Sequence, residues 1–180
     1  MKYLSEGSRP SLEGVLINRE VRRDRMDALR KANPGKSLIC FKLNIPGPVK
    51  NNRWIMKLFR EGLKDIRETC KSQEEDILSE RIILRAATGP EAFLVIDGDP
   101  DSVKEAMVRI EDETPLGRLY DIDVEGDRGP VSREDLGLEE RKCFLCDQPA
   151  KVCARSRTHS VEEMIDYIED LLDQVGFSGK

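Results

Sequence analysis

The sequence predicts an α+β fold: a split β-α-β core (βαββαβ) with an N-terminal helix and a Cys-rich C-terminal extension ending in a helix. Three observations predict it. The middle of the chain reads strand, helix, strand, strand, helix, strand, an order that suits an antiparallel sheet with two helices on one face. Charged residues make up 36% against 38% hydrophobic, so the apolar residues have to be gathered onto inward faces. A length of 180 residues suffices to bury one core without disulfide staples. The expected organisation is a single domain over 1–180, with a core at about 37–125, the N-terminal helix at 11–32 and a Cys/His-rich tail plus helix at 141–176. A nucleotidyltransferase-like mixed sheet fits the same string of elements.

Taken in order, residues 11–32 carry a helical stripe, imperfect where Arg19, Arg22, Arg23 and Arg25 crowd it, and they form one helix or two before Pro34-Gly35. Ser37–Asn44 is apolar and β-rich, and Ile45–Pro48 (IPGP) cannot continue it. Ile55, Leu58, Phe59, Ile66 and Cys70 recur at helical spacing between Asn52 and Lys71. Arg81–Ala87 and Ala92–Asp97 flank Thr88-Gly89-Pro90-Glu91, a hairpin signal. Val103, Ala106, Met107 and Ile110 mark a helix ending before Pro115, and Leu119–Glu125 is the next strand. A last helix runs from Val161 to about Val175, with Ser160 and Glu163 spaced as a capping box.

Lys+Arg 30 against Asp+Glu 35 leaves a net charge of −5, which speaks against a general nucleic-acid coat. No apolar run reaches the ~18 residues of a membrane helix, and the start lacks the apolar centre of a signal peptide. The expectation is a cytoplasmic chain without membrane or nucleic-acid partners. Five cysteines, an odd count, suit a reducing compartment. Cys40 and Cys70 fall on apolar stripes and read as small core residues. Cys143, Cys146, Cys153 and His159 form Cys-x2-Cys-x6-Cys-x5-His, a set able to close a tetrahedral zinc shell. Thiols partly buried beside an active site are the other reading.

Two further groupings carry chemistry. Asp121 and Asp123 lie two apart on a strand and so share a face, where they can hold one Mg²⁺ whose other ligands are phosphates and water. Tyr120, Ile122 and Val124 then face the core. A solvated strand face is the alternative. In the loop after the first strand, Gly47 allows close approach to an anion, Lys50 or Arg53 can sit on a phosphate, and the following helix aims its positive end at the same place. A plain strand-to-helix turn reads equally well. Residues 141–160 carry five basic residues (Arg141, Lys142, Lys151, Arg155, Arg157) and one acid, followed by six acids and no base over Val161–Val175. A basic patch on an acidic chain favours an anionic target, unless the two stretches only neutralise each other.

NIPGPVK at 44–50, GPE at 89–91, PLGRLYDIDV at 115–124 and RKCFLCDQPAKVCARSRTH at 141–159 resemble the holo-acyl-carrier-protein synthases of bacterial citrate lyase, also called apo-citrate lyase phosphoribosyl-dephospho-CoA transferases. The resemblance runs over nearly the whole chain. It implies an enzyme that takes 2′-(5″-triphosphoribosyl)-3′-dephospho-CoA and joins it to a serine of the small acyl carrier (gamma) subunit of citrate lyase, forming a phosphodiester and releasing diphosphate. For such chemistry Asp121 and Asp123 are expected to hold Mg²⁺, and Lys50, Arg118 and Arg155, with Arg53 and Arg157 near, to neutralise the triphosphate. The serine's proton is expected to pass to one aspartate or to His159, a role that competes with zinc binding by the same nitrogen. The arginines of 19–25 and the 141–157 patch are two candidate docking surfaces for an acidic carrier. The rival readings are a non-enzymatic zinc-stabilised interaction module and the equivalent transferase for malonate decarboxylase.

Overall fold

In a computed structural model of the chain, residues 2–85 and 87–177 are described. Helix α1 (Leu12–Ala32) starts at Ser11, whose hydroxyl accepts from the Gly14 N–H, and runs unbroken through its arginines. Strand β1 (Ser37–Leu43) leads through the IPGP loop into α2 (Arg53–Ser72). The hairpin β2 (Asp76–Arg85) and β3 (Gly89–Asp97) follows, then α3 (Pro100–Glu113), capped by Asp99 with proline in its first turn. A 3₁₀ turn at Gly117–Leu119 enters β4 (Tyr120–Gly126), and a short β5 (Gly129–Val131) adds to its edge. Two helices close the chain, α4 (Ala150–Ser156) and α5 (Val161–Gln174), the second with its Ser160/Glu163 capping box formed. Among the described residues no helix is long and apolar enough to cross a membrane.

The sheet has the order β2-β3-β1-β4-β5 and every neighbouring pair is antiparallel, so a mixed sheet is not what forms. On one face Ile39, Phe41, Leu94, Ile96, Tyr120, Ile122 and Val124 pack with Ile55, Leu58, Phe59 and Ile66 of α2 and with Val103, Met107 and Ile110 of α3. Period-2 alternation puts their neighbours on the opposite face. There a smaller apolar set, Leu38, Cys40, Phe93 and Val95, meets Met26 and Leu29 of α1. Burial raises the Cys40 thiol to about 12, which makes it an inert core side chain.

Phe41 stacks on Phe59 with centroids 5.0 Å apart and meets Tyr120 edge-on at 5.6 Å. Gly62 of α2 makes this approach possible, because a Cβ there would lie 2.5 Å from Phe41 and 2.9 Å from Tyr120. The last helix joins the same core through Ile165, Ile168 and Leu172. Its Glu169 accepts the backbone N–H groups of Tyr3 and Leu4, both at 2.8 Å, so the N-terminal segment and α5 hold each other.

The hairpin differs from its sequence reading. β2 starts at Asp76 rather than Arg81, and Gly89, Pro90 and Glu91 belong to β3 rather than to the turn; Ala86 lies outside the described residues. The register shifts between Ile77 and Ser79, which breaks the alternation that would have announced the strand. β2 is also an edge strand whose Glu80 pairs with Arg67 of α2, and Leu78, Ile82 and Leu84 are exposed. β5 and α4 had no sequence signal beyond three and seven residues of ordinary composition.

Gly62→Ala tests the central packing. Alanine gains up to about 1 kcal/mol in an open helix, yet here the methyl overpacks the aromatic cluster, and we expect a net loss of about 1–3 kcal/mol in urea unfolding. An unchanged midpoint would mean that Phe41 and Tyr120 yield without cost.

Candidate active site

Beyond its apolar patch, the α1 face of the sheet turns charged. Lys42 of β1 pairs in register with Asp121 of β4, and its ammonium lies 2.9 Å from Asp121 Oδ2 and 2.6 Å from Asp123 Oδ2. Asp121 and Asp123 do share a face, while Tyr120, Ile122 and Val124 are buried in the core. The position between the two carboxylates is therefore taken by an ammonium group. Burial alone would lower the Lys42 pKa, but the two aspartates outweigh it and raise it. Burial would likewise raise Asp123, and Lys42 brings it below the ordinary carboxylate range.

The N-terminal half of α1 covers this strip with polar side chains. Asn18 and Arg22 both donate to Glu91 Oε1, at 2.5 and 2.6 Å, and Glu91 is only 2% exposed. The next residue, Arg23, grips both oxygens of buried Glu125, at 2.7 and 2.9 Å. Arg22 and Arg23 thus neutralise buried glutamates of the sheet and are not spare charge on an outer surface. Because these groups do not fill space as an apolar layer would, clefts remain beside the helix. One, of about 210 Å³, is lined by Arg19, Arg22, Lys42, Lys50, Glu91 and Asp121 among others. A second, of about 270 Å³, lies toward β5 and contains Asp123 and Glu125.

Lys50 reaches the first cleft with its ammonium 2.6 Å from the Ile45 carbonyl; burial, then the nearby Arg19 charge, hold its pKa down. Gly89 sets this approach, since its φ is +90° and a Cβ would lie 2.7 Å from the Lys50 carbonyl oxygen. Gly47, in contrast, faces α5: with φ +81°, a Cβ there would meet Ile165 at 3.0 Å and Val161 at 3.3 Å. The start of α2 is closed by Asn52, whose side chain accepts from the Trp54 and Ile55 N–H groups, so the helix end expected to bind an anion is capped from within. Arg53 lies over the Trp54 ring at 4.6 Å, in a separate shallow cleft beside the N-terminal segment.

The cysteine-rich tail forms a compact knuckle. Cys143, Cys146, Cys153 and His159 bring one ligand atom each to within 4.8 Å of one another. His159 Nε2 is buried and has no hydrogen-bond partner, which suits a nitrogen waiting for a metal. Burial alone would raise the Cys143 thiol, but the Leu145 N–H, the Cys153 thiol and the Cys146 groups carry it below its usual value. Such a group could hold a metal ion, and the donor set is that of zinc.

Arg118 fastens the knuckle to the core: its Nη2 donates to the carbonyls of Lys142 and Cys143, both at 2.8 Å, and its guanidinium stands over Phe144. Arg141 answers by donating to the Arg118 carbonyl at 2.5 Å. Arg157 and His159 line another cleft, of about 800 Å³, with Lys142, Lys151 and Phe144, while Arg155 stays exposed on α4. The expected cations therefore do not meet in one place. Lys50 shares a cleft with Asp121, Arg118 is spent on the knuckle, and Arg157 lies in a neighbouring cleft that meets the first at Asn44. Sequence reasoning missed Lys42 and Glu91, and gave Arg19 and Arg22 a surface role. The available signal was strand parity: Lys42 follows Leu38 and Cys40 on the α1 face, where a lysine is costly unless it is paired.

The family model described as apo-citrate lyase phosphoribosyl-dephospho-CoA transferase matches residues 10–175. Proteins of that name from Escherichia coli O1:K1 / APEC and from Shigella boydii serotype 18 (strain CDC 3083-94 / BS512) are each 36% identical over 166 residues, covering 92% of this chain and 90% of theirs. The chain belongs to the apo-citrate lyase phosphoribosyl-dephospho-CoA transferase family.

Proposed function

We propose that the chain is a phosphoribosyl-dephospho-CoA transferase acting on apo-citrate lyase, and that the cleft between α1 and the sheet is where transfer occurs. The carrying observation is that this cleft gathers Arg19, Arg22, Lys42 and Lys50 beside Asp121. In this reading the serine oxygen of the acyl carrier subunit attacks the phosphorus next to the ribose of 2′-(5″-triphosphoribosyl)-3′-dephospho-CoA. The phosphorus–oxygen bond to diphosphate breaks, the serine proton passes to Asp121, and diphosphate leaves. Arg19 and Lys50 neutralise the charge that builds on the departing group, and Lys42 fixes Asp121 with Asp123 as its second anchor. His159 is left to the knuckle and takes no proton. The ammonium of Lys42 supplies the resident positive charge between the two aspartates; Mg²⁺ would arrive on the substrate's phosphates rather than stand between Asp121 and Asp123.

The same proposal treats the strand order as the split β-α-β arrangement over a single domain, since β3 lies between β1 and β2, the two strands that α2 connects. It assigns carrier docking to the exposed cations of the 141–157 patch, Lys142, Lys151 and Arg155, because Arg22 and Arg23 are engaged with Glu91 and Glu125. Zinc in the knuckle would be held by Cys143, Cys146, Cys153 and His159 and would serve structure, as a closed four-ligand site does. Relatives named for apo-citrate lyase do not favour the interaction-module or malonate decarboxylase readings.

Intact mass of the purified carrier, before and after incubation with this protein, the triphosphoribosyl donor and Mg²⁺, checks the activity directly. The wild type should add the prosthetic group, and Asp121→Asn and Lys42→Met should slow the addition about 100-fold or more, Asp121→Asn with a normal unfolding temperature and Lys42→Met with a lowered one because it loses both ion pairs. Near-normal rates in both variants would move the chemistry elsewhere.

Lys42→Met also has a signature in acid. Asp123 has a folded pKa below its ordinary value of 3.8, so its pairing stabilises the fold above that value and is lost as pH falls through the folded pKa. The variant should lack this part of the acid dependence, and NMR titration should show the Asp123 pKa shifted upward once Lys42 no longer opposes its burial.

Metal analysis of untagged protein should find one zinc per chain. Chelation, or His159→Ala, should remove it and lower the unfolding temperature. Protein that is metal-free as purified and equally stable would leave the knuckle as packed thiols.

A further inference from the structure

The cleft between α1 and the β2–β3 hairpin holds two buried polar atoms that make no hydrogen bond, Glu91 Oε2 and Thr88 Oγ1. Glu91 is fixed at its other oxygen by Asn18 and Arg22, so its carboxylate orientation is set and Oε2 is the idle half. A buried acceptor without a donor costs about 1–3 kcal/mol, and such atoms occur where a ligand supplies the missing partner. A carboxylate oxygen accepts only, so the partner has to bring O–H or N–H. A threonine hydroxyl can pair with a second hydroxyl beside the first.

The surrounding charge is of the opposite kind. Arg19 and Lys50 line the same cleft, beside Lys42, whose charge Asp121 and Asp123 already share, and among the described residues no carboxylate pairs with Arg19. A ligand that satisfies both halves carries adjacent hydroxyls and an anion a few bonds away. At about 210 Å³ the cleft is below the ~300–1,000 Å³ of sites that enclose a drug-sized molecule, so it takes one fragment of a large donor. It adjoins the 800 Å³ cleft at Asn44, which leaves a way out for the remainder.

We propose that this cleft is a ribosyl-phosphate subsite: Glu91 Oε2 and Thr88 Oγ1 take the ribose hydroxyls while Arg19 and Lys50 hold the phosphate. The inference rests on the transferase reading above and assigns the part of the donor that enters beneath α1. Gly89 at the start of β3 is what makes it possible, because only a residue without Cβ lets the hairpin carry Thr88 and Glu91 up against the Lys50 backbone.

Calorimetric titration of the full chain with ribose 5-phosphate and with inorganic phosphate tests the subsite apart from catalysis. The wild type should bind ribose 5-phosphate about 10-fold or more tightly than inorganic phosphate, a difference of about 1.4 kcal/mol. In Glu91→Gln the amide oxygen stays with Asn18 and Arg22, which places the NH₂ where Oε2 was. That variant should lose most of the preference while keeping its affinity for inorganic phosphate. Thr88→Val leaves the Glu91 contacts intact and should reduce the preference about 5-fold. The subsite is overturned by a wild type with no preference for the sugar phosphate, or by two folded variants that both keep it. A wild type that modifies the carrier yet shows no ribose preference defeats the subsite alone, while ribose preference without carrier modification defeats the transferase reading alone.

Discussion

The charged strip beneath α1 is the constraint on which the site depends. Charges cannot be enclosed between a helix and a sheet unless each finds a partner, because the desolvation of an isolated ion far exceeds what packing returns. β1, β3 and β4 place Lys42, Glu91, Asp121, Asp123 and Glu125 on that face, and every one of them is paired: Lys42 with the two aspartates, Glu91 with Arg22, Glu125 with Arg23. The arginines that blur the helical stripe of α1 are what lets the helix lie there at all. The same pairs leave the interface imperfectly filled, so α1 is flanked by clefts lined with fixed charges. A polar seam that costs stability as packing becomes a preorganised electrostatic surface for a polyphosphate.

The second element of the arrangement is the way the knuckle is coupled to the sheet. Arg118 lies in the 3₁₀ turn that leads straight into β4, two residues before Tyr120 and three before Asp121, and its guanidinium holds the carbonyls of Lys142 and Cys143. Arg141 reaches back both to the Arg118 carbonyl and to Glu111 at 3.5 Å, and Glu111 in turn accepts the Ile122 N–H at 3.0 Å. One chain of hydrogen bonds and an ion pair thus runs from the cysteine loop to the strand that carries the aspartates. Gly47 extends the same connection on the other side by letting the loop after β1 pack against α5. Several residues that look like phosphate ligands by type are the fastenings of this joint.

That distinction explains how much could be read from the sequence. Helices with a clean apolar stripe, such as α2, or with a capping box, such as α5 with Ser160 and Glu163, were legible because local spacing alone decides them. The Cys-x2-Cys-x6-Cys-x5-His cluster was legible because metal ligands impose their own spacing. The shared face of Asp121 and Asp123 followed from strand parity. What was hidden depended on contacts across the chain. Lys42 and Glu91 acquire meaning only when β1 lies between β3 and β4. Arg118 looked like a substrate cation because nothing local shows that two carbonyls 24 and 25 residues ahead will claim it. The β2 bulge hid half a strand by spoiling the alternation on which its recognition relies.

A crystal structure of the protein soaked with the triphosphoribosyl donor tests the central claim most directly. The account predicts phosphate oxygens within hydrogen-bond distance of Arg19 and Lys50 beneath α1, with the nucleotide end extending past Asn44. Donor density confined to the knuckle cleft, with the space beside Asp121 and Lys42 holding only water, would contradict it.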